Sequence, residues 1–295
     1  MYKNYKKKIE VFFSPNTLQS ALMNFEREYI RHEVFKFNDG SVKVTINDNI
    51  PDHHYCEIHM FMETMDDLMV VAQIKDIVQR KSKSPKDFVL YISSPVYSRY
   101  DRVMLDNQTD AFGARVFANF INSLYFDNVI LFDCHSNVMS GMINNSYSVE
   151  QKLLAETCVG SLENFLLIAP DKGALVKNPT ADIVLSKARD VNTGKIIGVH
   201  LDKVPNASID GKDCLLIDDI CEGGRTFTEV AHSINAEHSP NLNLYITHGI
   251  FSNNAIEKLL VDYKEIYVYF MKESVYDSLC IAYKERLNVY NLIIN

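Results

Sequence analysis

Two adjacent carboxylates, Asp218 and Asp219, follow the apolar run Cys214-Leu215-Leu216-Ile217 and precede Ile220-Cys221-Glu222-Gly223-Gly224-Arg225-Thr226-Phe227. An apolar run of this length reads as a strand that delivers both acids at its carboxyl end, where open α/β sheets bind ligands. Adjacent acids suit the vicinal hydroxyls of a sugar. The Gly223-Gly224 pair lets the backbone turn tightly with its N–H groups converging, and the helix-like run from near Thr226 adds the partial positive charge of a helix N-terminus. An anion pocket beside a diol site is what a sugar phosphate fills. A plain turn with a helix cap uses the same residue types, since acids and glycines are common before helices.

Other phosphate chemistries lack their signatures. The 11 glycines contain no Gly-x-Gly pair, so the dinucleotide fingerprint is absent. Gly194-Lys195 and Gly211-Lys212 lack the following Ser or Thr and the upstream Gly of a P-loop. There is no His-Glu-x-x-His and no Gly-x-Ser-x-Gly, which removes the usual marks of zinc proteolysis and of nucleophile-elbow hydrolysis.

The elements that must position the acid pair are short Val-, Ile- and Leu-rich runs separated by helix-like segments, the pattern of buried parallel strands with crossover helices. Strands are predicted over Phe88–Pro95, Val129–His135, Phe165–Pro170, Cys214–Asp219, Leu244–Ile250 and Ile266–Met271. Helices are predicted over Met65–Arg80, with Met65, Leu68, Met69, Ala72, Ile74 and Ile77 inward, and over Ala111–Tyr125, with Phe117, Phe120, Ile121 and Leu124 inward. Both stripes read as core packed on a sheet. Residues 137–161, taken as an interdomain crossing, and 187–206 carry the weakest periodicity and are predicted to be the least structured. The simplest account is two α/β domains in tandem, 1–147 and 148–295, with the last residues a candidate for packing back on the first domain.

The whole-chain numbers agree with that account. The chain has 295 residues, 47% of them hydrophobic and 23% charged, which is ordinary globular usage and ample for a large core. A net charge of -8 argues against a whole-surface binder of nucleic acid or anionic membrane. No stretch approaches the roughly 18–20 apolar residues of a membrane span, and the Lys-rich opening lacks the apolar core of a signal peptide. A cytoplasmic location is therefore expected. The 6 cysteines, at 56, 134, 158, 214, 221 and 280, form no Cys-x-x-Cys pair and read as reduced, mostly buried thiols.

Leu215–Phe227 closely resembles the loop that binds ribose 5-phosphate and phosphoribosyl pyrophosphate in type I phosphoribosyltransferase folds. Other segments resemble, in matching order along most of the chain, the ribose-phosphate pyrophosphokinase family. Lys36-Phe37-Asn38-Asp39-Gly40-Ser41 is similar to that family's Arg-Phe-Ser-Asp-Gly-Glu hairpin, which reaches into the adenine site of a neighbouring subunit. Phe37, Asp39 and Gly40 match, while Ser41 stands where the family has Glu; read on its own, Asp39-Gly40 is a hairpin turn. Met65-Asp66-Asp67-Leu68 resembles the family's Asn-Asp-Xaa-Leu only loosely.

Pro95–Arg102 resembles the segment Pro-Tyr-Xaa-Xaa-Ala-Arg-Gln-Asp-Arg, so Arg99, Asp101 and Arg102 take the positions that help hold ATP, and Tyr100 replaces Gln. A guanidinium can both stack on adenine and bond phosphate; without a resemblance, Arg-x-Asp-Arg is a surface ion-pair patch. Asp133-Cys134-His135 resembles Asp-Leu-His, which implies that His135 meets the magnesium of MgATP. Asp171, in Ala169-Pro170-Asp171-Lys172-Gly173-Ala174, matches the metal-binding Asp of the loop that faces pyrophosphate, with Ala174 in place of a second Gly.

Ala181–Arg189 resembles the strand that ends in the catalytic Asp-Lys-Arg-Arg, which implies that Lys187 and Arg189 clamp the transferring group, Ser186 and Ala188 being departures. The bland alternative is two cations alternating on a solvated strand end. Ile246–Ala255 resembles Ala-Thr-His-Gly-Xaa-Phe-Ser-Gly-Asn-Ala and implies an architectural role around the ribose site. Glu222 keeps the family's acid, Gly223 and Arg225 stand where Thr and Gly are usual, and Gly224 and Thr226 complete the expected phosphate loop.

The resemblance implies an α/β chain of two tandem type I phosphoribosyltransferase-like domains, each a mainly parallel sheet flanked by helices, with the ATP side first and the ribose 5-phosphate side second. It implies a ribose-phosphate diphosphokinase that uses ATP, ribose 5-phosphate and Mg²⁺, needs neither nucleic acid nor membrane, and assembles as a homo-oligomer, a dimer or a hexamer. Two alternatives stay open at this stage. One is a phosphoribosyltransferase that consumes phosphoribosyl pyrophosphate; the other is a catalytically silent regulatory homologue.

Overall fold

Strands of three to nine residues alternate with helices twice along the chain, and the contacts divide it accordingly into Lys6–Val149 and Glu150–Ile294, the second unit also taking Asn4 and Tyr5. The computed structural model describes residues 4–14, 27–84, 86–94, 96–103, 109–189, 196–203, 205 and 208–294. Strand β1 (Asn4–Lys7) lies at the edge of the second unit's sheet. The first unit follows with β2 (Ile9–Ser14), β3 (Glu28–Ile30), β4 (Glu33–Lys36), β5 (Val42–Thr45), β6 (Tyr55–Met60), α1 (Met65–Lys81), β7 (Asp87–Ile92), α2 (Gly113–Ser123), β8 (Asn128–Phe132), α3 (Asn137–Met142) and β9 (Ser146–Val149). Its six-stranded sheet runs β3-β2-β6-β7-β8-β9, with β6 to β9 parallel and β2 antiparallel to β3 and β6; β4 and β5 form a separate hairpin.

Helix α1 starts where Thr64 and Asp67 form a capping box, and it carries Asp66 and Asp67 in its first turn and Arg80 and Lys81 in its last, matching the helix dipole. Its buried face is Leu68, Val70, Val71, Ile74 and Val78. Met65 and Met69, predicted inward, are exposed, because the stripe that meets the sheet is turned toward the more compact β-branched residues. Lys75 is buried on this face and donates to the carbonyls of Leu124 and Tyr125 at 2.7 and 2.5 Å, an ammonium placed at the end of α2 where helix carbonyls need donors. On α2, Phe117 and Ile121 are buried as expected, but Phe120 is half exposed. Helix α2 is amphipathic on one narrow face, and Phe120 lies beyond it.

The opposite side of the β2-β6-β7 sheet holds a buried polar group. Glu57 accepts from Ser14 Oγ at 2.9 Å and lies 3.4 Å from His59 Nε2, whose ring stacks on Tyr91 with centroids 4.1 Å apart. Burial pushes the His59 imidazole down to about 4, against the pull of the Glu57 carboxylate. The unfolded chain takes up this proton near pH 6.5 and the folded chain near 4, so the unfolded state binds more protons between those values and stability falls as pH drops through that window. The loss attributable to His59 is about 3 kcal/mol at 1.36 kcal/mol per pKa unit. A His59→Phe variant is expected to flatten urea-unfolding free energy against pH between 6.5 and 4; an unchanged slope would assign the acid sensitivity elsewhere.

The second unit contains α4 (Gln151–Val159), β10 (Leu166–Ala169), α5 (Lys172–Lys177), β11 (Ile183–Arg189), β12 (Ile196–Lys203), β13 (Asp213–Cys221), α6 (Arg225–Asn235), β14 (Asn241–Gly249), α7 (Ala255–Asp262), β15 (Glu265–Lys272), α8 (Glu273–Asp277), α9 (Ile281–Lys284) and β16 (Leu287–Ile294). The eight-stranded sheet runs β1-β16-β15-β14-β13-β10-β11-β12, parallel from β16 through β11, with β12 antiparallel to β11. Its core gathers Leu216, Leu244, Ile246, Val268 and Val289 from the strands with Phe227, Val230, Ile256 and Leu259 from α6 and α7. Strands buried on both faces read as near-continuous apolar runs, which is why β13 to β15 were legible.

The two segments predicted to be the least structured carry regular elements, although residues 190–195, 204 and 206 of the second lie outside the described residues. Residues 137–161 form α3, β9 and α4, whose alternations are too short to register as periodic. Within 187–206, β12 pairs with β11; an edge strand with one open side tolerates polar residues that a central strand does not. Among the described residues no helix is long and apolar enough to cross a membrane. All six cysteines are free, with Cys56, Cys158, Cys214 and Cys221 buried, Cys134 half-buried and Cys280 exposed.

Candidate functional site

In the second unit the chain leaves β10 through α5 to β11 on one side, and β13 lies on the other. This reversal of strand order opens a crevice at the carboxyl ends of β10 and β13, the place where parallel sheets of this kind take ligands. Asp171 sits two residues past β10, and Asp218 and Asp219 lie near the end of β13, which runs on to Cys221 rather than stopping at the acids.

Asp219 is buried, and its Oδ2 lies 3.3 Å from Lys177 Nζ at the end of α5. The Asp219 N–H donates to Asp218 Oδ1 at 2.9 Å, so the two carboxyls are held differently. Burial raises the Asp218 carboxyl well above the usual range, and the neighbouring Asp219 and Asp171 carboxylates add to the rise. Three acids thus share one field. Asp171 also caps α5, its Oδ1 accepting from the Ala174 N–H at 3.0 Å. Ala174, which replaces a family Gly, turns its methyl into a small core of Ala169, Ala181 and Val184.

Beyond β13 the chain turns at Gly224, whose φ of +75° is unfavourable to any side chain and whose missing Cβ leaves Leu259 and Ala255 just enough room, at 3.3 and 3.4 Å. Gly224 is the N-cap of α6, so the first helical N–H groups open onto this loop. The loop after β14 braces it from beside: Ile250 and Phe251 N–H groups donate to the Cys221 carbonyl at 2.9 and 3.1 Å, and the Ser252 N–H donates to that of Glu222 at 2.9 Å. Glu222 and Gly223 are exposed and Thr226 is half-buried. The Arg225 side chain is exposed, and its Nε donates to Glu229 Oε1 at 2.7 Å along the helix.

In the first unit the loops after β7 and β8 meet. Tyr97, at φ +59°, stacks on Phe117, and the Tyr100 carbonyl accepts from the Ala114 N–H at 3.0 Å, pinning the turn that carries the exposed Arg99. Asp101 is buried and 3.2 Å from Arg102 Nε. Burial alone would push the Asp101 carboxyl up, but hydrogen bonds from Ser136 and Arg102, with the charges of Arg102 and His135, outweigh it and hold the carboxyl low. His135 is half-buried beside Ser136, the N-cap of α3. Asp101, Arg102 and His135 are therefore one cluster.

Phe37 and Asp39 are not part of that cluster. Their hydrogen bonds and ring contacts stay within the β4–β5 hairpin: Asp39 Oδ1 accepts from Ser41 Oγ and N–H at 2.7 and 2.9 Å, and Phe37 meets Phe35 edge-on at 4.8 Å. Phe35 and Phe37 are exposed. Lys187 and Arg189 lie on β11, paired with Val199 and Ile196 of β12; their side chains lie outside the described residues. Two contributors escape the sequence reading. Ser136 is visible as a cap residue before a helix, whereas Lys177 carries no local signal, its role arising from a residue 42 positions away. Gly249 lies in the stretch matched for an architectural role, and its contacts with Phe251 and Val268 arise only in space.

Among the described residues no group of three or more His, Cys, Asp or Glu side chains is arranged to hold a metal. His135 in the first unit and Asp171 in the second each offer one donor, and a magnesium that keeps most of its waters needs no more than one or two protein ligands.

No family model matches the sequence. The chain is 26% identical over 242 residues to ribose-phosphate pyrophosphokinase of Nitrosomonas europaea, covering 78% of this chain and 73% of that protein. It is 25% identical over 271 residues to the protein of the same name from Pasteurella multocida, covering 86% and 83%. Its fold is similar to that of phosphoribosylpyrophosphate synthetase from Mycobacterium smegmatis, with a TM-score of 0.69 at 16% identity, over 92% of this chain and 89% of that one. Along most of its sequence the chain is thus similar to ribose-phosphate pyrophosphokinases at about 25% identity, and its two sheets with their flanking helices share the fold of the synthetase.

Proposed function

We propose that the chain is a ribose-phosphate diphosphokinase, transferring the β,γ-diphosphoryl group of MgATP to the anomeric hydroxyl of ribose 5-phosphate. The observation that carries the reading is the acid pair on β13 followed by the braced Glu222–Thr226 turn, with Asp171 brought to the same crevice.

Asp218 and Asp219 accept the ribose hydroxyls, and the amides of Glu222, Gly223, Gly224, Arg225 and Thr226 hold the 5-phosphate at the start of α6. Arg99, Asp101 and Arg102 hold the nucleotide, and Phe37 and Asp39 of the exposed hairpin reach the adenine of a neighbouring subunit. His135 would meet the magnesium that the nucleotide carries and Asp171 a metal at the loop that faces pyrophosphate, where such ions neutralise phosphate oxygens. The sugar's anomeric oxygen attacks the β-phosphorus in line and loses its proton, the bond from that phosphorus to the α-phosphate oxygen breaks, and AMP departs. Lys187 and Arg189 stabilise the charge that gathers on the transferring group and on AMP. An exposed hairpin that serves a neighbour's adenine site fits a homo-oligomer.

Arg225 engaged with Glu229 and Ser41 engaged with Asp39 favour, as second reading, a silent homologue that binds nucleotide without turnover. Incubation of the protein with ATP, ribose 5-phosphate and Mg²⁺ separates the readings. Equal amounts of AMP and phosphoribosyl pyrophosphate are expected. ATP binding without either product would install the silent homologue, and consumption of phosphoribosyl pyrophosphate with a nucleobase would make the chain a phosphoribosyltransferase.

A further inference from the structure

We propose that Lys177 is a positioning residue for the sugar: its ammonium fixes the Asp219 carboxylate for a ribose hydroxyl and offsets the negative charge of the crevice when a sugar phosphate enters. The inference rests on the reading of β13 and its loop as the ribose 5-phosphate site.

The two adjacent acids are not equivalent. Asp218 Oδ1 is taken by the Asp219 backbone N–H at 2.9 Å, while Asp219 Oδ2 faces Lys177 Nζ at 3.3 Å. The Asp219 side chain is 7% exposed and that of Lys177 23%, so this contact is far better shielded than a surface ion pair. A carboxylate this buried is costly unless a cation and hydrogen bonds meet it, and removal of such a cation leaves it to reorient.

The origin of the ammonium is itself rigid. Helix α5 is capped by Asp171 at its start, and at its end Asn178 Nδ2 donates to Gln151 Oε1 at 2.6 Å, both residues being buried. The Asn178 N–H donates to the Ala174 carbonyl at 2.9 Å and the Ala181 N–H to that of Asn178 at 3.1 Å. Lys177 is thus presented from an anchored helix end, across the strand reversal, to the acid pair. The same short helix brings Asp171 and Lys177 to one crevice, an acid at its N-cap and a cation in its last turn. Asp171, Asp218 and Asp219 already oppose one another there, and a phosphorylated sugar adds further negative charge. An ammonium 3.3 Å from Asp219 acts first on the acid that meets the sugar, and therefore on sugar binding more than on ATP affinity.

The test compares wild type, Lys177→Met, Lys177→Gln and Lys177→Arg in the full chain. In the methionine and glutamine variants KM for ribose 5-phosphate is expected to rise at least about 10-fold, the scale of a buried charge-assisted contact, with KM for ATP unchanged within about twofold and arginine restoring most of the loss. The two neutral variants guard against one failing to fold. An unchanged KM for the sugar phosphate, or equal losses for both substrates that arginine does not rescue and that track a lower Tm, would overturn the proposal. Titration of ribose 5-phosphate alone into each protein by calorimetry separates the two layers. If wild type does not bind it, the site reading falls and the inference with it; if wild type and Lys177→Met bind it equally, the inference alone falls.

Discussion

Lys187→Ala is expected to lower the rate of diphosphoryl transfer about 10²–10³-fold, while ATP and ribose 5-phosphate still bind. Transfer of this kind asks little covalent chemistry of the protein; catalysis comes from holding the reactants in line and stabilising charge on the transferring group. Removing one preorganised donor to developing charge typically costs about 2.7–4 kcal/mol of barrier. Residue 187 pairs with Val199 of the edge strand β12 and lies beyond Ile183 and Val184, the two positions at which β11 pairs with β10. The fold should tolerate its loss. The measurement is kcat with both substrates saturating, with ATP affinity determined separately. A variant within threefold of wild type would remove Lys187 from the chemistry and with it the strongest residue-level argument for turnover.

Gly249→Ala is expected to destabilise the second unit by about 3 kcal/mol, at the upper end of what overpacking a core costs. A Cβ at this position would lie 2.2 Å from Phe251 Cε2 and 2.8 Å from Val268 Cγ1. Neither neighbour can easily give. Val268 belongs to β15, and Phe251, held at φ +48°, is tied through its N–H to the Cys221 carbonyl. Pushing Phe251 aside would undo the brace that Ile250, Phe251 and Ser252 place under the turn after β13. Sugar-phosphate affinity should therefore fall together with stability, although residue 249 touches no ligand. Urea unfolding followed with and without ribose 5-phosphate checks both effects. A loss below about 1 kcal/mol would mean that Phe251 has another place to go.

These two residues illustrate different kinds of legibility. Lys187 stands out in the sequence through its resemblance to a known catalytic strand. Gly249 sits in a matching stretch, yet its physical necessity is visible only when Phe251 and Val268 converge on it. The β13 segment was readable because a strand buried on both faces is a continuous apolar run, and because a tight turn demands glycine where φ is positive; β13 and Gly224 meet both conditions. The inward face of α1 was misread, since Met65 and Met69 fit a helical stripe as well as Val70 and Val71 do, and only the sheet beneath the helix selects between them. Strand β12 was missed for a related reason. An edge strand is defined by its partner more than by its composition.

The alternation of strand and helix, the acid pair with its glycine turn and the motifs along the chain are legible in the residues alone, because each is local: hydrophobic period, allowed φ and side-chain chemistry within a few residues. Tertiary structure alone decided which distant groups share a field. It set Lys177 against Asp219 and Asp171 beside Asp218, joined Asp101 to Ser136 and His135, turned Arg225 to Glu229, and left the hairpin of Phe37 and Asp39 as a separate feature. The physical reason is that charge, burial and close contact depend on distances in space. In a parallel sheet those distances follow strand order, and here the reversal between β10 and β13 is what brings α5 to the acid pair.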